Sequence, residues 1–363
     1  MIENSAQAAK LLRAAHEPVD DVLYLKMADF CLGIRSNSAA FIQKLEKYFS
    51  HVLVDACTTD VIIEAYDTEV LDLAIDWEDW TREPGKSGKK DAYCELEDGR
   101  LLLKVRTGMV FLQSLQARIA AGPCSKLDNQ VINFINSQYM NWLQQRDWLI
   151  CHASGLDVAG KGVGLAGLSG GGKSTLMLAL MDEPDVRYVT NDRLFIRREE
   201  GRVKARGIPK LPRINPGTIV HNPVLHGLID EARRKALLEL PQQALWHLEE
   251  KHDVMINEVY GDDRIAADIL LRCFLVLNWS HDSDQPTRLR EVDLESRKEL
   301  LPAIMKSPGP FMQYADGKMY HDSDPLDNRI YIETLRGVTI LEASGRVDIP
   351  QLREKLYQWV SDR

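Results

Sequence analysis

The chain has 363 residues, of which 45% are hydrophobic and 27% charged, and a formal net charge of −9. This is the composition of a soluble globular protein of one large or two modest domains, and the acidic balance argues against nonspecific nucleic-acid binding, which needs cations to neutralise phosphates. The opening residues, MIENSAQAAKLLRAAHEPVDD, hold no apolar core of signal-peptide type, and no apolar run approaches the length that spans a bilayer. The six cysteines (Cys31, Cys57, Cys94, Cys124, Cys151, Cys273) are scattered without C-x-x-C, so neither a zinc site nor a disulfide framework is expected and a cytoplasmic location fits.

Val22 to Ile34 (VLYLKMADFCLGI) alternates apolar residues and predicts a strand, and Ser36-Asn-Ser38 offers caps for a helix with Phe41, Leu45 and Phe49 on one face. Further strands are expected at His51 to Ala56 and Val61 to Ala65, before the acidic, Trp-bearing stretch Asp76 to Trp80 and a polar loop from Arg82 to Asp91. Tyr93 to Glu97 and Arg100 to Arg106 flank Asp98-Gly99, a two-residue hairpin signal. Gly122-Pro123 precedes an amphipathic helix over Asn129 to Gln145, with Ile132, Ile135, Tyr139 and Trp142 at helical spacing. That punctuation predicts a smaller α+β N-terminal domain over 1–124 and a second domain over 125–363.

The second domain opens with paired strands, Trp148 to Val158 and Gly162 to Leu168, around Ala159-Gly160-Lys161-Gly162. They lead into Gly167-Leu-Ser-Gly-Gly-Gly172-Lys173-Ser174, which satisfies the phosphate-loop pattern G-x-x-x-x-G-K-[ST]. Glycines let successive backbone N–H groups curl round an anion, and an apolar helical stretch from Thr175 to Met181 adds the positive end of its dipole. The similar Gly85-Lys86-Ser87 has Trp80 five positions before it, so no cradle forms there. Val186 to Thr190 is the next strand, and Asn191-Asp192 stands at its carboxyl end, where ligands of open α/β sheets gather.

Leu194 to Arg198 and Arg202 to Arg206 form a further hairpin across Glu199-Glu200-Gly201. Eight cations between Arg193 and Arg213 face only Glu199 and Glu200; a solvated hairpin face explains such a strip, and a basic lining for an anionic acceptor is the functional alternative. Asn215 with Pro216 is read as a helix cap and first helical residue. Two helical stretches run to about Lys251; their histidines, His221, His226 and His247, and the following His252 lack ligand partners and read as surface or packing residues. Leu270 to Trp279 (LLRCFLVLNW) predicts a strand covered on both faces, followed by a strand at Thr287 to Val292, a helix near Glu295 to Met305, a strand at Val338 to Glu342 and a last helix with Leu352, Leu356 and Trp359 inward.

The run Cys151-His152 through Gly167 to Ser174, then Val189-Thr-Asn191-Asp192-Arg193 and Lys210-Leu-Pro-Arg213-Ile-Asn-Pro-Gly-Thr218, resembles the catalytic core of HPr kinase/phosphorylase, and more closely the HPr-kinase-related kinases of group B. The phosphoenolpyruvate carboxykinases share that core. The resemblance covers about Gln145 to the C-terminus. It is carried by His152, 15 residues before Gly167, by the 19 residues between Lys173 and Asp192, and by the Arg-bearing, Pro-rich segment. It implies an α/β fold, with an HPr-kinase C-terminal-domain-like phosphate-loop core of mixed sheet and flanking helices.

The resemblance also implies roles. Gly167, Ser169, Gly170, Gly171, Gly172, Lys173, Ser174, Thr175 and Asn191 would bind ATP, and Ser174 and Asp192 would hold Mg²⁺. His152, Asp192, Lys173 and Arg213 would be catalytic: His152 or Asp192 orienting or deprotonating an acceptor hydroxyl, Arg213 clamping the transferring phosphoryl. The expected reaction moves a γ-phosphoryl to a hydroxyl of a small metabolite or a protein serine, in a cytoplasmic homo-oligomer with no nucleic-acid or membrane partner. Two departures stand out. Thr175 replaces the family's Glu, and Asn191 replaces the first of two aspartates; an amide cannot accept a proton, so reverse phosphorolysis is not carried over with the rest. A nucleotide-binding regulatory or scaffold protein with little catalysis is the alternative, and a carboxykinase-like lyase is disfavoured by the length.

Overall fold

The computed structural model describes residues 2–13, 16–18, 21–81, 88–168, 171–323 and 326–363. The chain forms two compact units, Met1–Asp147 with Ser307–Pro325, and Trp148–Lys306 with Leu326–Arg363. The division falls after Asp147 and not at Gly122-Pro123, because the long helix that follows Pro123 buries most of its circumference in the first unit, including Phe134, Ile135, Gln138 and Leu143.

In the first unit the elements are α1 (Ser5–Arg13), β1 (Leu23–Met27), β2 (Phe30–Ser36), α2 (Ala39–Tyr48), β3 (Leu53–Val54), β4 (Val61–Asp67), β5 (Glu78–Asp79), β6 (Asp91–Leu96), β7 (Gly99–Lys104), β8 (Val110–Ser114), β9 (Arg118–Gly122) and α3 (Asp128–Gln144). Among the described residues the strands form one sheet in the order β3-β1-β2-β4-β9-β8-β7-β6-β5, with β2, β4 and β9 parallel. Ser38 caps α2 as expected, its Oγ accepting from the Phe41 N–H at 3.3 Å.

Several expectations are corrected here. Val22 to Ile34 is a hairpin and not one strand: Ala28 takes a positive φ of 52° at the turn, a role no glycine advertises. His51 to Ala56 begins in the 3₁₀ turn Ser50–Val52, and only Leu53–Val54 is extended. The β6–β7 turn falls one residue earlier, and Gly99 opens β7, where a Cβ would lie 2.5 Å from the Gln113 carbonyl oxygen. Cys31 and Cys57 are bonded to each other, a pairing their separation did not suggest. Arg82 to Ser87 of the polar loop lie outside the described residues.

The second unit contains β10 (Leu149–Cys151), β11 (Ala153–Val158), β12 (Lys161–Gly167), α4 (Lys173–Met181), β13 (Val186–Thr190), β14 (Leu194–Glu199), β15 (Arg202–Arg206), β16 (Arg213–Ile214), α5 (Pro216–Val220), α6 (Glu231–Leu238), α7 (Gln242–His247), β17 (His252–Asp253), α8 (Ile256–Tyr260), β18 (Asp268–Leu277), β19 (Arg288–Val292), α9 (Leu301–Ile304), α10 (Asn328–Leu335), β20 (Thr339–Ser344) and α11 (Ile349–Ser361). Its mixed sheet runs β10-β14-β15-β18-β12-β11-β13, with β20 joined to β18 and β19. β12, β18 and β20 are parallel. Helix α4 is apolar all round and lies between this sheet and α11, with Leu176, Leu178, Leu180 and Met181 fully buried.

Several expectations differ in this unit. Trp148 to Val158 is not one strand: it breaks at His152 into β10, which pairs with β14, and β11, which pairs with β12. β18 is covered on both faces only from Cys273 onward, since Leu270 is 46% exposed. The helix near Glu295 shrinks to a 3₁₀ turn plus α9. In α11 Val360, not Trp359, completes the inward face; the Trp359 indole donates to Glu291 at 3.3 Å. Among the described residues no helix is long and apolar enough to cross a membrane.

Candidate functional site

The site grows from the edge where β12 ends. β11 and β12 are joined by a two-residue turn in which Ala159 (φ 49°) and Gly160 (φ 80°) both take the left-handed conformation of a type I′ hairpin. That turn fixes the register Ala153↔Ala166, and one step further along it His152 is level with Gly167. The spacing of 15 residues is therefore a hairpin measured from one mouth to the other.

Beyond Gly167 the backbone turns tightly. The Gly171 N–H donates to the Leu168 carbonyl at 2.9 Å, and a Cβ on Gly171 would lie 2.9 Å from that same oxygen. Gly172, at φ 86°, is the N-cap of α4, and no side chain caps the helix, so the first-turn N–H groups are left for another acceptor. The Trp279 indole, just past β18, donates to the Gly171 carbonyl at 2.9 Å and holds the turn from the side. Ser169 and Gly170 lie outside the described residues. Lys173 folds back so that its Nζ donates to the Gly167 carbonyl at 2.7 Å. Burial lowers its pKa, against the pull of Asp192 and with the push of Lys306.

β13 is antiparallel to β11 and so points the same way as β12. Its carboxyl end delivers Asn191 and Asp192 to the same edge. The Ser174 hydroxyl donates to Asn191 Oδ1 at 2.8 Å, and the Ser154 hydroxyl holds the Asn191 carbonyl. Asp192 Oδ1 is 3.2 Å from His152 Nε2, and its other oxygen is 3.8 Å from Arg193 Nε. Burial alone would raise the Asp192 carboxyl; the His152 hydrogen bond, with Arg193 and Lys306, outweighs it and holds the group ionised, far below the usual carboxylate range. The Cys151↔Met305 bridge and the bond from the His152 N–H to the Ile304 carbonyl (2.7 Å) bring the chain around Lys306 back to this edge. Lys210 is pulled down to about 8 by burial and by Arg193, with Arg213 and Lys251 adding to the push and Asp192 resisting.

His152, Lys173, Ser174, Asn191 and Asp192 are thus brought together. Arg213 pairs across a two-residue ladder with Asp253, Nε to Oδ1 at 3.0 Å, although that buried N–H does not point at the carboxylate. Thr175 meets Thr218 of α5, hydroxyl to hydroxyl at 2.9 Å, which ties the Pro-rich segment to the start of α4. Pro216 is the first residue of α5, but Asn215 does not cap with its side chain: its Oδ1 is buried without a hydrogen-bond partner. Sequence reasoning missed Lys306, which belongs to no motif and reaches the site through a single bridge. Ser154 and Trp279 were read only as strand residues.

The donor set suits a hard cation and a polyphosphate. A serine hydroxyl and one carboxylate are what Mg²⁺ uses when phosphate and water complete its octahedron, and among the described residues no group of three or more His, Cys, Asp or Glu is placed to hold a metal alone. The glycine positions that a Cβ would fill, and the uncapped start of α4, suit an anion.

Fold and site together define a mixed α/β protein whose glycine loop leads from a central strand into a buried helix. No known protein family matches the sequence, and no curated protein matches it. Among solved structures the chain is similar to the HPr(Ser) kinase/phosphatase from Coxiella burnetii, at 12% identity and a TM-score of 0.30, over 59% of this chain and 88% of that one. A likeness of that size adds nothing to the functional reading, which rests on the site's own residues.

Proposed function

We propose that the chain is an ATP-dependent kinase, Mg²⁺-assisted, moving a γ-phosphoryl to a hydroxyl of a small metabolite or a protein serine on an HPr-kinase-like phosphate-loop core. The observation that supports this best is the convergence of Lys173, the Ser174–Asn191 pair and the Asp192–His152 pair at one sheet edge. The backbone from Gly167 to Lys173 holds the triphosphate, with Lys173 released from the Gly167 carbonyl to meet it. Ser174 and Asp192 hold Mg²⁺, directly or through water, and the ion neutralises charge on the phosphate oxygens. Asp192 accepts the Nε2 proton of His152, which leaves Nδ1 to take the proton of the acceptor hydroxyl. The acceptor oxygen then bonds to the γ-phosphorus, the bond to the bridging oxygen breaks, and ADP departs. Asn191 positions Ser174 and takes no proton. Lys306, Arg193 and Lys210 add positive charge where negative charge is transferred, and Arg213 stands next to Lys210 as a further clamp. A cytoplasmic homo-oligomer belongs to the same proposal.

The test is calorimetric titration with a non-hydrolysable ATP analogue and Mg²⁺, followed by ADP release with and without hydroxyl acceptors. Lys173→Ala should lose both nucleotide affinity and turnover; retained turnover in that variant would discard the assignment. ATP consumed at the same rate whatever acceptor is added would favour a regulatory nucleotide-binding role.

A further inference from the structure

A second cavity lies wholly within the first unit, independent of the phosphate loop. It has a volume of about 220 Å³, or roughly seven water molecules at ~30 Å³ each. One wall is a face of α3, where Gln138, Asn141 and Trp142 follow each other at helical spacing; Phe30 of β2 stands against Trp142 with ring centroids 5.7 Å apart. The opposite wall is the start of β9, where Arg118 faces Gln113 across the β8–β9 ladder.

Arg118 is the unusual member. Its Nη1 donates to the Leu115 carbonyl at 2.9 Å, but its Nε is buried without a hydrogen-bond partner, and among the described residues no carboxylate pairs with it. Burial lowers its pKa and no neighbouring charge offsets that. A guanidinium whose Nε is withdrawn from water, with no carboxylate paired to it, is costly to that extent, and planar donors of this kind match carboxylate and phosphate oxygens. The amides of the facing wall are committed in a complementary way. Gln138 donates its Nε2 to Gln113 Oε1 at 2.7 Å and Asn141 its Nδ2 to the Phe311 carbonyl at 2.8 Å, and among the described residues no protein donor meets either amide oxygen. The cavity is therefore lined by two guanidiniums, Arg118 and Arg146, by the Asp60 carboxylate, whose Oδ2 accepts from the Cys31 N–H, and by these two amide acceptors, and it is bounded by two aromatic rings.

We propose that this cavity binds a small organic anion bearing hydroxyl groups, with Arg118 holding the carboxylate or phosphate and Gln138 and Asn141 accepting from the hydroxyls. The experiment is calorimetric titration of the full chain, carrying Lys173→Ala so that the phosphate loop does not compete, at constant ionic strength. The ligands are L-malate, glycerol 3-phosphate and uncharged glycerol. At least one of the two anions should bind saturably and glycerol should not, and which anion binds distinguishes carboxylate from phosphate. Arg118→Met should weaken that binding roughly tenfold or more, while melting no lower than its parent without ligand, because it removes an unpaired charge. Should that variant fail to fold, Gln138→Met takes its place and must weaken binding several-fold. No saturable binding of either anion, or unchanged affinity in the folded variant, overturns the proposal. The kinase reading stands or falls separately, on nucleotide binding with Lys173 intact.

Discussion

Lys210 shows how far one side chain can be shifted by its neighbours. Burial and the cations around it bring its pKa to about 8, against about 10.4 for a free lysine. Between those values the unfolded chain holds a proton that the folded chain has released, so stability rises with pH across that window. Polyphosphate affinity moves the other way: it should weaken as pH rises through about 8, and calorimetry with the ATP analogue should show that slope flattened in Lys210→Gln. Asp192 has the opposite task. Its carboxylate stays ionised far below the usual range, so Asp192→Asn should cost roughly 100-fold or more in turnover. If it serves mainly the dyad with His152, nucleotide affinity should change only a few-fold. At this scale the motif residues were legible because the glycines, Lys173 and Ser174 are required by chemistry at fixed spacing. Lys306 was not, since a lysine two residues past a short helix has no signature of its own and its place depends on the Cys151↔Met305 bridge.

The elements that carry the site were legible where periodicity and turn chemistry agreed. β12, β13, the β14–β15 hairpin and α4 fall within a residue or two of the expected bounds, and Gly160 and Gly201 mark the two hairpin turns with positive φ, but the strand expected from Trp148 breaks at His152 into β10 and β11. Where a turn lacked glycine, as at Ala28, two strands read as one. Close approach between elements was not legible either. Gly207, just past β15, would place a Cβ 2.0 Å from the Val189 carbonyl oxygen of β13, and a backbone atom cannot swing aside as a side chain can. Gly207→Ala should therefore push on the strand that delivers Asn191 and Asp192. Circular dichroism melts should show a drop of several degrees, and turnover should fall with them. A variant with wild-type melting and turnover would mean that β13 yields without cost.

For the whole molecule, the division differs from the expected one in two ways: α3 belongs to the first unit, and that unit is discontinuous. Residues Ser307–Pro325 return to it, held by their backbone carbonyls and by side chains, with Phe311 against Phe111 and Phe134 and the Gln313 Oε1 accepting from Gln113. Arg100, fully buried, donates to the carbonyls of Pro310 and Tyr320, both at 3.0 Å, while its guanidinium lies 5.0 Å from the ring centroids of Trp80 and Tyr93. A fragment ending at Asp147 leaves that cation without two acceptors, and one ending at 124 loses α3 as well. The 1–147 fragment should give a poorly dispersed NMR spectrum, and joining 307–325 to it by a short Gly-Ser linker should restore dispersion. A well-dispersed spectrum from 1–147 alone would show that the returning segment is dispensable.

That discontinuity also sets an order of events on the ribosome. At about 5–20 residues per second, the roughly 160 residues between Asp147 and Ser307 take on the order of ten seconds or more to emerge. Through that interval Arg100 lacks the carbonyls of Pro310 and Tyr320, and the later part of the message completes what the earliest part began.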